Sequence, residues 1–287
     1  MSGGIAYALG ALGFFGLGDL IYKRGAAAGA PAHHLLMAQS WVFLPTVALY
    51  GLATGTLTFV AGSAWGALAG LFILIGFYNF AHSLATGSIS INAPIFRLSF
   101  VVTAALAVML LGEPVTAPKL IGIALALVAV WLLLGGGTSA GAPADRRAVR
   151  ASLVRVLVAT VALGIGNVVY KFGLHAGATP ASLIVAQAVV VVSLSTLFVA
   201  LIDRGIRPNR VALRFAPAAA LALAAAFALM VESLARGQAS VVVPIAQMGF
   251  GVTAVLGFVL LREPFSARKG AGLAAALAAM ASLAMSA

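Results

Sequence analysis

Ten apolar runs follow one another along the chain, each long enough for five or more turns of helix. They cover 3–22, 33–52, 60–83, 89–111, 118–136, 152–173, 180–202, 211–234, 240–261 and 268–286. Polar positions inside the runs are too sparse to mark a solvated stripe, and a helix that is apolar all round lies in a core or in lipid. Breakers and charges separate the runs, as at Gly29-Ala30-Pro31, Gly112-Glu113-Pro114 and Arg262-Glu263-Pro264. About 20 residues at 1.5 Å per residue cross a hydrocarbon core of about 30 Å. The pattern predicts an all-α membrane protein with ten transmembrane helices.

The runs are not independent. Residues 81–122 repeat as 231–272 at an offset of 150 without a gap. Ser83-Leu84-Ala85 matches Ser233-Leu234-Ala235, Pro94-Ile95 matches Pro244-Ile245, and Glu113-Pro114 with Lys119 matches Glu263-Pro264 with Lys269. At an offset of 148, Gly16, Gly18 and Tyr22-Lys23 match Gly164, Gly166 and Tyr170-Lys171, and Ala38-Gln39 matches Ala186-Gln187. The expected division is a first five-helix repeat at 1–136, a polar linker at 137–151 and a second repeat at 152–287. Five is odd, so the second copy enters the membrane upside down. Inverted repeats of this kind build secondary transporters, with the solute site near the midplane where the copies meet.

Composition sharpens the reading. The chain of 287 residues is 63% apolar and 8% charged, where soluble domains carry about a quarter charged residues. Membrane lipid is therefore its surroundings. The net charge of +11 does not imply nucleic acid, because the cations lie between apolar runs without interleaved aromatics. They follow the positive-inside rule instead. Lys23 and Arg24, then Arg146, Arg147, Arg150 and Arg155, then Arg204, Arg207, Arg210 and Arg214, then Arg262, Arg268 and Lys269 all fall on one side, against Lys119, Lys171 and Arg236 on the other. The rich side is expected to be cytoplasmic, which leaves both termini periplasmic. The opening Met-Ser-Gly-Gly lacks a charged leader region, so the first run is read as a retained helix. Cysteine is absent, and His33, His34, His82 and His175 lack the spacing of a metal site. No catalytic constellation is visible, and no cofactor or enzyme activity is expected.

The few polar residues inside the runs are the candidate site. Asp19 is costly in lipid and needs a cavity or a partner; Lys23 lies four residues on, and Asn167 is its equivalent in the second copy. Tyr78, Asn79, His82 and Ser83 share a helix face, and Glu232-Ser233 stands where His82-Ser83 stands in the first copy. Arg97, equivalent to Gln247, suits a carboxylate because its guanidinium binds one with two parallel bonds. Phe15 adds aromatic contact area. The expected cavity set is Phe15, Asp19, Tyr78, Asn79, His82, Ser83, Arg97, Asn167, Glu232, Ser233 and Gln247, between helices one, three, four, six, eight and nine. Asp19, His82 and Glu232 are the intramembrane groups able to carry a coupling proton. Pro94 and Pro244 remove backbone hydrogen bonds and are expected hinges. Glu113 and Glu263 read as turn residues. Gly62, Gly66 and Gly70 predict a close intramolecular helix crossing.

The chain resembles the drug/metabolite transporter superfamily in its ten-helix EamA-type branch. The resemblance rests on Gly18-Asp19-Leu20-Ile21-Tyr22-Lys23 and its copy Gly166-Asn167-Val168-Val169-Tyr170-Lys171, and on the repeated Ser-Leu-Ala, Pro-Ile and Glu-Pro tracts. Within the branch it is most similar to bacterial amino-acid exporters, those for aromatic amino acids included. The tryptophan common before the first-helix glycine is replaced by Phe15. The resemblance implies export of small metabolites, above all amino acids, across the bacterial inner membrane by alternating access. The alternatives are a passive channel or facilitator for a small solute and a membrane-embedded lipid-handling or enzyme accessory protein.

Overall fold

The computed structural model describes residues 3–86, 92, 95–134, 146–261 and 266–286, and every regular element among them is helical. The helices are α1 (Gly3–Ala27), α2 (Ala32–Ala53), α3 (Ala64–Thr86), α4 (Ile95–Leu111), α5 (Ala117–Leu134), α6 (Arg146–His175), α7 (Pro180–Ile202), α8 (Arg210–Arg236), α9a (Ala239–Gln247) with α9b (Gly249–Leu261), and α10 (Ala267–Ala284). Six of these, α1 to α3 and α6 to α8, are long and apolar enough to cross a membrane by length and composition. The tracts at Ile95–Leu111, Ala117–Leu133 and Ala239–Val252 are apolar but shorter.

The packing respects the repeat. α1 lies on α8 as α6 lies on α3, α2 lies on α8 as α7 lies on α3, and α1 meets α9 as α6 meets α4. α2 with α7, α4 with α9a, and α5 with α10 pair across the two halves. Adding five to each helix number exchanges every one of these contacts with another or with itself. Equivalent residues make equivalent crossings. A Cβ on Gly16 would sit 2.6 Å from Val252 Cβ, and one on Gly164 would sit 2.6 Å from Val102 Cβ. Val102 and Val252 are themselves 150 apart. A Cβ on Gly122 would meet Leu283 Cγ at 2.6 Å, and one on Gly272 would meet Leu133 Cγ at 2.6 Å.

The Gly62-Gly66-Gly70 stripe faces inward. A Cβ on Gly66 would lie 2.2 Å from the Leu183 carbonyl oxygen, so α3 and α7 touch backbone to backbone.

Two helices change course at matching positions. In α4 the Leu98 N–H donates to Ile95 O at 3.0 Å and Val101 N–H to Leu98 O at 2.9 Å. Met248 N–H donates to Ile245 O at 3.1 Å and Gly251 N–H to Met248 O at 2.9 Å. These bonds are one residue tighter than α-helical ones. They divide α9a from α9b four residues after Pro244. Pro94 lies outside the described residues.

One helix starts earlier than its apolar run suggests. α6 begins at Arg146, inside the stretch read as linker, because residues 146–157 are Arg, Ala, Val and Leu with a single Ser152, and no Gly or Pro follows Pro143 before them.

Glu113, read as a turn residue, does more. The Ala239 N–H donates to its Oε1 at 2.6 Å and the Ser240 N–H to its Oε2 at 2.9 Å, with the Ser240 hydroxyl added. A carboxylate from the first half therefore caps α9a in the second, where orphan N–H groups and the helix dipole favour negative charge. Lys119, buried beside it, donates to Pro114 O at 2.6 Å and Gln238 Oε1 at 2.8 Å. Glu263 lies outside the described residues.

Candidate functional site

An internal cavity lies where α2, α3, α7 and α8 converge, with Tyr22 of α1 at its edge. Its wall is made by equivalent residues. Gln39 and Gln187 are a repeat pair, and so are Ile73 with Leu223 and Phe77 with Phe227. The cavity thus straddles the axis that relates the two halves. The Tyr22 hydroxyl donates to Gln39 Oε1, and the Tyr170 hydroxyl donates to Gln187 Oε1. Each amide is held by a tyrosine of its own repeat. Phe227 takes Phe15 edge-on at 5.5 Å and Phe43 edge-on at 6.0 Å. The volume is about 30 Å³, room for about two waters. An amino acid does not fit in this conformer.

The α2–α7 side of the cavity is tied by polar contacts. Ser40 and Ser195 hydroxyls lie 3.1 Å apart, and Trp41 Nε1 donates to Thr196 Oγ1 at 2.9 Å. These ties cross between the repeats and hold α2 against α7.

None of the eleven residues expected to form the cavity lines it directly. Phe15 is one contact behind, through Phe227. Asp19 on α1 pairs with Arg97 on α4. The pair is partly exposed, at 34% and 17% of the side chains. Their equivalents, Asn167 and Gln247, are neutral and buried at 1% and 7%. Asn167 Nδ2 donates to Thr103 Oγ1 at 3.1 Å. One half of the molecule therefore carries a partly exposed ion pair, and the matching place in the other half is buried and uncharged.

The rest lie nearer the helix ends. Tyr78 stacks edge-on with His82 at 5.1 Å and with Phe198 at 4.6 Å, and His82 is exposed. Glu232 pairs with Arg236 one turn on. Ser83 and Ser233 are buried and each donates to the carbonyl three residues back, at 2.7 Å. Ser83 O also accepts from Ser152 Oγ and Asn92 Nδ2, both at 2.8 Å. These serines hold backbone rather than face open space. Asn79 donates to Ile75 O at 2.9 Å and borders a wide outer groove with Arg147, Arg150 and Arg155 of α6.

His33, His34 and Asp203 converge on the face that carries most of the cations. His34 Nε2 lies 2.8 Å and His33 Nε2 3.6 Å from Asp203 Oδ2. The Asn209 N–H donates to His34 Nδ1 at 3.1 Å. An Nδ1 that accepts leaves the proton on Nε2, where it serves Asp203. His34 so held has no lone pair to offer a metal at Nε2. The trio ties the start of α2 to the α7–α8 connection.

Sequence reasoning missed Tyr22, Gln39, Phe43, Phe77, Gln187 and Phe227 as wall residues. The signal was present: Phe77 and Phe227 are 150 apart, and the Tyr–Gln spacing of 17 occurs in both copies. The search for charged and kink-forming residues passed over neutral and aromatic ones.

The EamA-like transporter family model matches residues 151–285. That match spans most of the second repeat. A solved structure described only as the crystal structure of a protein superposes with a TM-score of 0.83 over 98% of this chain and 96% of its own, at 15% identity. That likeness speaks for the fold. No curated protein matches the chain. An EamA-like half, a repeat-symmetric helical fold and long apolar spans make this a multi-pass membrane protein of the small-solute transporter class.

Proposed function

We propose that the chain is a secondary carrier that exports small metabolites, amino acids first among them, across a bacterial inner membrane by alternating access. The observation that carries the reading is the on-axis cavity walled by equivalent residues of both repeats. A solute held there contacts each half alike, and rocking one half against the other would expose it to either side. At about 30 Å³ the cavity is in a contracted state that must widen to load.

Phe43, Phe77 and Phe227 supply apolar and aromatic area, and Gln39 and Gln187 supply amide donors and acceptors. Asp19 lies three residues before Tyr22 on α1, near enough along one face for its pair with Arg97 to stand at the cavity approach. A zwitterionic solute could exchange partners with that pair, its carboxylate to Arg97 and its ammonium to Asp19. Pro244, and Pro94 by equivalence, would let the broken helices flex. If a proton is coupled, Asp19, His82 and Glu232 remain the groups to carry it.

Uptake by proteoliposomes of labelled amino acids and a panel of metabolites tests the reading. Saturable uptake of at least one amino acid is expected. Linear, non-saturating flux of many solutes would assign a passive facilitator, and no flux of any amino acid would overturn the substrate class.

A further inference from the structure

The outer groove beside Asn79 belongs to neither the cavity nor its approach as described above. It has a volume of about 500 Å³ and is lined by Arg147, Arg150, Ala151, Val154, Arg155 and Val158 with Asn79. We infer that this groove is a binding site for one anionic phospholipid, with the phosphate held by Arg150 and Arg155 and an acyl chain lying along Val154 and Val158.

The argument begins with length. α6 has 30 residues, about 45 Å of helix, against about 30 Å of hydrocarbon. If its His175 end meets one boundary, about 20 residues reach the other near Arg155. Arg147 and Arg150 then stand at headgroup depth, and Val158 stands in the hydrocarbon. Along one face of α6 the groove wall runs Arg147, Arg150, Val154, Arg155 and Val158, so guanidinium groups dominate toward the headgroup end and an isopropyl group closes the deep end. A phospholipid changes from anion to alkyl in that order too. A free phosphate matches only the upper half of such a groove, and a zwitterionic lipid leaves the arginine excess uncompensated.

Charge accounting supports an anion. Of the six acidic residues, Asp19 pairs with Arg97, Asp203 with the histidines and Glu232 with Arg236, while Glu113 caps α9a. Asp145 and Glu263 lie outside the described residues. Among the described residues no carboxylate pairs with Arg150 or Arg155. Val154 is also strongly exposed, at 53%, as a lipid-facing wall should be. Juxtamembrane arginines attract anionic lipid at about 1 kcal/mol per residue from surface potential alone. A built groove adds position and a forked contact to phosphate.

Native mass spectrometry on the purified full-length protein tests this with three probes: phosphatidylglycerol, phosphatidylcholine of the same chains, and inorganic phosphate. Phosphatidylglycerol should be retained at one per protein, and the other two should bind at least about tenfold more weakly. In Arg150→Gln/Arg155→Gln, the retained lipid should fall about tenfold. In the control Arg204→Gln/Arg207→Gln, which removes two cations of the same side outside the groove, retention should be unchanged. Equal loss in both variants would mean diffuse surface charge and overturn the site. Equal retention of phosphatidylcholine, or phosphate that binds as well as lipid, would overturn it too. The three-probe comparison on the native chain needs no variant, so a groove variant that fails to fold leaves the test intact.

Discussion

At the level of single residues, two features carry the account. The first is Asp19–Arg97, charged and partly exposed where the second copy has buried Asn167 and Gln247. Removing one member of a charge pair inside an apolar helix leaves the other uncompensated, which costs more than removing both. Asp19→Asn and Arg97→Gln are each expected to cut transport by about tenfold or more, and the double variant to recover part of the loss; a double-mutant cycle on initial rates checks it. Strictly additive losses would mean the two residues act separately. The second feature is the aromatic wall. Phe77→Ala should enlarge the cavity and widen the range of solutes carried, at a stability cost of about 3–5 kcal/mol. Competition by bulkier solutes against labelled substrate measures the first effect, and thermal unfolding measures the second.

The sequence exposed Asp19 and Arg97 because charge in an apolar run is conspicuous. It did not show that they pair. That contact joins α1 to α4 across 78 positions, and Lys23 was the nearer candidate along the chain. The wall residues were hidden for the opposite reason. A phenylalanine or glutamine in an apolar helix has no preferred reading until its neighbours are known.

Helices and their crossings show where backbone approach is decisive. The Leu183 carbonyl lies where a Cβ on Gly66 would sit, whereas Gly13 has nothing within 4 Å. Gly66→Ala should therefore separate α3 from α7 and lower folded yield sharply. Gly13→Ala should leave it unchanged or raise stability by up to about 1 kcal/mol. Fluorescence-detected size exclusion compares the two. Glu113→Gln tests the cap on α9a. It keeps the shape but removes the charge, and it should cost about 0.5–2 kcal/mol, or about 1–8 °C in Tm.

The helix runs, their order and the glycine stripe were legible because periodicity, breakers and small residues are local signals. The break at Met248 was only half legible. Pro244 advertised a bend, yet the helix divides four residues later, where Gly249 packs its backbone on α1. A Cβ on Gly249 would lie 2.9 Å from Gly16 N, so the course of α9 is set by a neighbour as well as by the proline.

For the molecule as a whole, the repeat predicted from offsets of 148 and 150 reappears as contacts that exchange when five is added to each helix number. Under the proposed alternating access, that symmetry would serve a two-sided device, and the positive-inside bias would give it a direction. A reporter that fluoresces only in the cytoplasm, fused to Ala287, should stay dark; a bright fusion would reverse the assigned sides and leave the packing symmetry as it is. Alternating access makes a stronger demand, because only one face of the cavity opens at a time. The most direct test is counterflow. Proteoliposomes holding the native protein are loaded with unlabelled solute, and entry of labelled solute is compared with that into empty vesicles. The account predicts faster, saturable entry into the loaded vesicles, since the cavity returns occupied. Entry that ignores the internal solute and rises linearly with concentration would contradict it.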